Sequence, residues 1–381
     1  MAYIHQLSRW PEFSWDAEAL ADSLAAVRYK QGRHLGRMES LGFELQVEAN
    51  LISLADEVVK SSAIEGERLD PDEVRSSIAR QLGLDAAIPP KPWRHIDGIV
   101  EMMLDATRNF EAPLSGERLF GWHAALFPTG RSGMQRIAVG GWRDDAAGPM
   151  RVISGPIGKE RIHLQAPEAS RLDGEMALFI DWYNRGGKLD PVLKAAVAHL
   201  WFVTVHPFDD GNGRIARAIA DMALARADGV KERFYSMSAQ IEAERKEYYI
   251  QLESAQRGSL DITAWLAWFL GCLGRSIDAA GTMLGAVLYK AQVWRRINEK
   301  PINERQRMVI NRMLEHEWRG YVTTSKYARL AKCSGDTALR DIHELVDRGI
   351  LVRNEGSGRS TSYRLADPDA NVSSAMPGMG K

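Results

Sequence analysis

"HPFDDGNGRIAR", residues 206–217, gathers a histidine, two carboxylates, a Gly-Asn-Gly turn and two arginines into one short stretch. Gly211, Asn212 and Gly213 stand just before the amphipathic run "RIARAIADMALARADG", which predicts a helix ending near Gly229. Two glycines let consecutive backbone N–H groups turn toward one point, and a helix N-terminus follows directly, so the segment is an anion-binding nest. Arg214 and Arg217 lie three apart and share a face of the first turn. Guanidinium suits phosphate oxygens. Asp210, beside the nest, is the hard carboxylate that Mg²⁺ takes next to phosphates. His206, across the turn, can accept a proton from an attacking hydroxyl. Pro207 stiffens the turn and Phe208 anchors it. Base, metal ligand, nest and clamps are the parts of in-line phosphoryl or nucleotidyl transfer.

Taken singly, these residues have plainer readings. A lone histidine is usually structural, because burial and hydrogen bonding account for it. "GNGRIA" also fits a loose dinucleotide-binding pattern, but that pattern needs a strand running straight into its first glycine. Here "HPFDD" intervenes and the preceding "VLKAAVAHLWFV" reads as helix. No G-x-x-x-x-G-K-[ST] string and no H-E-x-x-H string occurs. The twelve residues together resist the plainer readings.

Outward from the motif the chain reads mainly α. Its 381 residues suggest two or three domains at roughly 150 residues each. A net charge of −1 favours neither nucleic acid nor a membrane surface. The two cysteines, Cys272 and Cys333, give no disulfide framework and fit a reducing, cytoplasmic setting. "MAYIHQLSRWPEF" carries no signal-peptide pattern, and "ITAWLAWFLGCLG" (262–274) is too short to span a bilayer. "DAEALADSLAAV" (16–27) places Ala17, Leu20, Leu24 and Val27 on one helical face. "EVVKSSAIEG" (57–66) predicts a helix stopping at Gly66, and "DPDE" a new one capped by Asp70 with Pro71 in its first turn. "IPPKPW" (88–93) reads as a linker. "MRVIS" and "ERIHLQ", within 139–167, predict a β-hairpin, after which helices run from 168 to 300 with a break around 228–240.

Residues 206–217 meet every fixed position of H-x-F-x-[DE]-G-N-G-R-x-x-R, and at these residues the chain resembles the Fic family of nucleotidyl transferases. The resemblance implies a helical core, over about residues 93–297, that moves AMP from ATP to a Ser, Thr or Tyr hydroxyl of a target protein with Mg²⁺. It implies His206 as base, Asp210 as Mg²⁺ ligand, Asn212 with the glycine amides on the α-phosphate, Arg214 supporting the nest and Arg217 on the γ-phosphate. Arg161, Ile162, His163 and Leu164 would line a flap that pins the target by strand pairing. Tyr248, Tyr249 and Gln256 would shelter adenine, with ordinary helix packing as the other reading of the tyrosines. "SSAIEG" (61–66) resembles the family's inhibitory motif [ST]-x-x-x-E-[GN]. Glu65 would then compete for Arg217, with Ser61 and Gly66 completing the motif, in an N-terminal helical region over 1–92. The resemblance, with the frequency of two-fold assemblies, implies a homodimer.

Residues 304–366 read as helix, turn, helix and two strands and resemble a winged helix, with a disordered tail over 367–381. That resemblance leaves two readings open: a small docking or dimer-supporting module, or DNA binding. Arg340, Arg348, Arg353, Arg359 and Arg364 are offset by Asp336, Asp341, Glu344 and Asp347, a balance that argues for weak DNA binding at best. Two other functions stay open: a DNA-binding regulator whose core senses nucleotide, and a hydrolase that removes AMP at the same site.

Overall fold

The computed structural model describes residues 2–84, 94–146, 148–156, 158–187, 189–299, 302–314, 318, 320–354 and 361–366. The expected linker at 88–93, residues 355–360 between the two expected strands, and the tail from Asp367 lie outside these. The chain divides into two compact units, Met1–Gly281 and Thr282–Lys381. In the first unit the N-terminal helices share one hydrophobic core with the residues that follow them.

That unit begins with a 3-10 turn (Ile4–Gln6), then α1 (Ala17–Glu39), α2 (Phe43–Ile64), α3 (Pro71–Gln81), α4 (Arg94–Arg108) and α5 (Gly116–Leu126). Two antiparallel hairpins follow: β1 (Arg131–Ser132) with β2 (Gln135–Arg136), and β3 (Arg151–Ser154) with β4 (Arg161–Gln165). Then come α6 (Leu172–Asn184), α7 (Pro191–Val205), α8 (Asn212–Asp228), α9 (Met237–Ala243), α10 (Arg245–Gln256) and α11 (Thr263–Glu299). Besides the expected turn at the motif and the break around 228–240, the helices after 168 are also interrupted at 185–187 and 257–262. The hairpin β1–β2 was not foreseen. Leu20 and Val27 of the expected α1 face are buried, whereas Ala17 is exposed.

The centre of the unit is the α7–α8 pair. α7 starts on Asp190, whose side chain accepts the Val192 N–H at 2.8 Å, with Pro191 in the first turn. Its sequence is apolar on all sides, and nearly every residue from Val192 to Val205 is buried. α6 and α10 pack against α7; α1, α2, α4 and α5 pack against α8. α3 starts as expected, with Asp70 accepting the N–H groups of Asp72 and Glu73.

α2 is held in register by buried polar contacts. Glu57 accepts from Ser236 Oγ (2.8 Å) and the Ser238 N–H (3.0 Å), and Asn50 accepts the Arg233 N–H at 2.9 Å. Arg233 is itself buried between Asp221 (2.7 Å) and Asp228 (3.2 Å). A one-residue slip of α2 would strand these groups without partners, at about 1–3 kcal/mol for each uncharged one. The register places the end of α2 at Ile64, with Glu65 as C-cap and Gly66 left-handed at φ +87°.

The second unit has α12 (Glu304–Met313), β5 (Val322–Thr323), α13 (Thr324–Leu330), α14 (Gly335–Asp347), β6 (Leu351–Arg353) and β7 (Ser362–Leu365). The strands form an antiparallel sheet in the order β5-β7-β6. Val309, Ile310, Tyr327, Ile342, Leu345 and Tyr363 lie in its core. Among the described residues no helix is long and apolar enough to cross a membrane.

α4 packs tightly on α5 at Gly98, where a Cβ would sit 1.9 Å from the Ala125 carbonyl oxygen. Gly98→Ala should therefore cost about 1–3 kcal/mol through overpacking. Gly121→Ala, where a Cβ meets nothing within 4 Å, should stabilise by up to about 1 kcal/mol. Thermal melts of the two variants check this; a Gly98→Ala melt at or above wild type contradicts it.

Candidate active site

Six residues, 206–211, turn the chain from α7 into α8. His206 ends α7 in the left-handed conformation (φ 51°), uncommon for a non-glycine residue and used here to redirect the chain. Its backbone is gripped from the loop before β3: Arg143 Nε donates to the His206 carbonyl (2.8 Å), and the Arg143 N–H donates to the Pro207 carbonyl (2.9 Å). The Asn212 side chain closes the turn on itself. Its Oδ1 accepts the Phe208 N–H (3.0 Å) and its Nδ2 donates to the Phe208 carbonyl (2.8 Å). The carboxamide that the resemblance assigns to the α-phosphate is thus engaged with the loop. Phe208 is buried, and the buried His123 ring stacks on it at 4.2 Å and 9°. His123 Nε2 donates to the Asp210 carbonyl at 3.2 Å. Gly211 is left-handed (φ +81°), and a Cβ there would lie 2.9 Å from Phe127, so no other residue fits without a shift.

The His206 imidazole places Nδ1 3.3 Å from the Val203 carbonyl. A carbonyl only accepts, so Nδ1 carries the proton and Nε2 keeps its lone pair. Burial pushes this histidine down to about 4; the Val203 hydrogen bond works against that and nearby Arg143 works with it. The ring is neutral at pH 7, as a proton acceptor must be. Asp210 projects beside it: Oδ1 accepts the Gly211 N–H at 2.6 Å, and Oδ2 accepts from Ser132 Oγ on the unforeseen hairpin.

Both motif arginines are buried and both meet carboxylates from the turn after α2. Arg217 Nη2 lies 2.9 Å from Glu65 Oε1. Its Nε donates to Ser61 Oγ and its Nη2 to the Ser61 carbonyl, each at 2.8 Å. Burial works to lower the Arg217 pKa, but the charge and hydrogen bond of Glu65 together with the neighbouring Tyr248 and Tyr249 outweigh it and raise it. The same Glu65 oxygen lies 2.0 Å from where a Gly213 Cβ would be, so the carboxylate rests on the first turn of α8, at its positive end. Arg214 Nη1 pairs with Glu67 Oε2 at 2.9 Å and stacks over Phe127. Glu67 also accepts from His95 Nε2 on α4. Burial works to raise the Glu67 carboxyl, but His95 and Arg214 outweigh it and hold it below its ordinary value. Arg217 Nη1 and Arg214 Nε are buried with no hydrogen-bond partner. Two unspent guanidinium donors beside a helix N-terminus are what the oxygens of a bound polyphosphate would satisfy.

The other expected residues divide. Tyr248 is core: it is 2% exposed, its hydroxyl meets His199 Nε2 at 3.0 Å, and it packs against Trp265 and Trp268. Gln256 is buried and reaches Thr204 Oγ1 at 3.3 Å, tying α10 to α7. Tyr249 alone of the three shows an exposed face, and its hydroxyl donates to the Ile64 carbonyl at the end of α2 (3.3 Å). On β4, Arg161 and His163 both bind Glu253 of α10, Ile162 is exposed, and Leu164 is buried. Sequence reasoning missed Glu67, His95, Ser132, Arg143 and His123. For Ser132 a signal existed in the Ser-Gly turn of "GRSGMQR"; the others act through long-range contacts that no spacing encodes.

Residues 113–224 match the Fic/DOC family and residues 3–84 match a domain of unknown function, DUF4172. Protein adenylyltransferase fic-1 of Caenorhabditis briggsae is 30% identical over 205 residues, 53% of this chain and 37% of that protein. Protein adenylyltransferase Fic of Nematostella vectensis is 34% identical over 115 residues, 30% of this chain and 25% of that protein. The chain thus spans from a quarter to little more than a third of the length of these curated relatives. Among solved structures, a Fic family protein from Desulfovibrio desulfuricans aligns over 93% of this chain and 97% of its own, at 18% identity and a TM-score of 0.53. A Fic domain containing signaling protein from Bacteroides thetaiotaomicron aligns over 67% and 95%, at 20% identity and a TM-score of 0.50. These two share the fold. With the motif complete on the α7–α8 turn of that fold, the chain carries a Fic/DOC-family domain.

Proposed function

We propose that the chain is a protein adenylyltransferase, moving AMP from ATP to a hydroxyl of a target protein, and that Glu65 holds it inactive. The curated relatives' names support the activity. One observation carries the regulatory part: the Glu65 carboxylate lies between Arg217 and the Gly213 backbone, where the nest would take a phosphate oxygen.

The chemistry follows from the chain's own groups. The target hydroxyl gives its proton to His206 Nε2 as its oxygen bonds to the α-phosphorus; the α–β phosphoanhydride bond breaks and pyrophosphate leaves. The α8 N-terminus and Arg214 hold the triphosphate, and Arg217 sets the γ-phosphate that keeps it bent. Asp210 is the residue that would hold Mg²⁺. Among the described residues no group of three or more candidate ligands converges, which fits an ion that takes one or two protein carboxylates and borrows its remaining oxygens from nucleotide and water. When bound, Mg²⁺ would offset the charge of the phosphates. Glu65 competes for the same guanidinium, so nucleotide binds with its γ-phosphate displaced and its α-phosphate out of line. A misplacement of about 1 Å can cost on the order of a hundredfold.

Glu65→Gly should therefore raise incorporation from labelled ATP by about a hundredfold, and the Glu65→Gly/His206→Ala double variant should return it to background while still binding ATP. Equal incorporation by wild type and Glu65→Gly sinks the inhibitory role; incorporation that survives in the double variant removes His206 from the mechanism. The base is active when neutral, so activity is present above its pKa and lost as pH falls through it. With His206 at about 4, the Glu65→Gly rate should stay level from pH 8 to about pH 5. An acid limb centred near the ordinary histidine value would contradict the buried, neutral imidazole.

A further inference from the structure

We propose that Glu67 is a positioning residue and a second restraint on the site: it holds Arg214 while Glu65 holds Arg217, and His95 of α4 keeps it there, so the turn after α2 is latched at both motif arginines. This deepens the adenylyl-transfer reading and rests on it.

The end of α2 dictates where the two carboxylates go. The helix closes in a Schellman motif around left-handed Gly66: the Glu67 N–H donates to the Ser62 carbonyl and the Gly66 N–H to the Ala63 carbonyl, each at 3.0 Å. That closure fixes Glu65 and Glu67 on one turn of defined shape. Opposite them, Arg214 and Arg217 stand three apart on the first turn of α8 and share a face. Glu67 meets Arg214 and Glu65 meets Arg217, each pair at 2.9 Å. One helix cap thus delivers two anions to the two cations of the nest.

Glu67 has a keeper as well. Its Oε2 takes Arg214 Nη1, and its Oε1 accepts from His95 Nε2 in the first turn of α4. The carboxylate therefore ties α8 to α4 with one oxygen on each. Arg214 is 5% exposed and stacks over Phe127, and its Nε has no hydrogen-bond partner. A phosphate oxygen that took up this Nε would share the guanidinium with the Glu67 charge, and like charges so close repel. Asp210 is near enough that its charge already acts against Glu67. Removing Glu65 alone frees Arg217 but leaves the cap anchored through Glu67 and leaves Arg214 half-occupied.

The test reads ATP binding by isothermal titration in the full chain, with Mg²⁺ and with His206→Ala present so that no transfer occurs. In Glu65→Gly/His206→Ala, adding Glu67→Gln should tighten ATP on the order of tenfold, because a charged competitor at Arg214 is lost. Adding His95→Gln instead should tighten ATP by a smaller factor, and should add nothing once Glu67→Gln is present, since His95 acts only through Glu67. An ion pair that serves stability alone would lower the melting temperature and leave ATP affinity unchanged or weaker. That result overturns the proposal, as does a His95→Gln effect undiminished by Glu67→Gln. Incorporation from labelled ATP by Glu65→Gly with His206 intact is followed separately: its absence, while Glu67→Gln still tightens ATP, counts against the adenylyl-transfer reading and leaves the second latch standing.

Discussion

A guanidinium buried in a protein must keep an anion beside it; stripping the partner from such a pair costs about 3–5 kcal/mol. Arg217 is 2% exposed and sits on the central helix of the fold, so the architecture around it has to supply that anion. α2 does so. Its Asn50 and Glu57 lock it against the 233–238 segment. Ser61 then meets the guanidinium through its hydroxyl and carbonyl, and the helix ends one residue before Glu65. Under the proposed inhibition, the contact that completes the folded core in the absence of nucleotide is also the contact that nucleotide must dislodge. Stability and restraint share one ion pair.

The rest of the site is arranged around the turn between α7 and α8. Apolar α7 and α8 bury each other, and the short link between them is closed internally by Asn212, from below by the His123–Phe208 stack, and from the side by Arg143. These contacts fix the turn, while the Val203 carbonyl sets the His206 tautomer and the Gly211 N–H and Ser132 hold the Asp210 carboxylate, all before any ligand arrives. Such preorganisation is what electrostatic stabilisation of a transferring phosphoryl group demands.

Much of this was legible in the sequence. Asp70 and Pro71 announced the start of α3, Gly66 and Gly229 the ends of α2 and α8, and the alternation in "ERIHLQ" a strand, because caps and pleats are local devices. The Gly-Asn-Gly turn and the helix that starts on it could be read for the same reason. What stayed hidden was mostly non-local. Nothing in the spacing pairs Glu67 with Arg214 and His95, or buries Glu57 under Ser236, since these contacts are made only when helices distant in sequence meet. Tyr248 and Gln256 show the converse: a stretch resembling a binding element can be absorbed by packing, here against α7 and α11, while its neighbour Tyr249 stays at the surface.

The self-closed Asn212 turn has one further consequence. A loop already ordered loses little conformational entropy when its ligand binds. In the proposed scheme the only element that must move is the short segment Ser61–Glu67, so the intrinsic affinity of the productive pose is scaled by the fraction of molecules in which that segment stands aside. Activity then becomes a direct readout of local helix fraying: whatever loosens the last turn of α2 tenfold, whether a partner, a modification or a neighbouring copy, would raise the working affinity by about the same factor while leaving every catalytic group untouched.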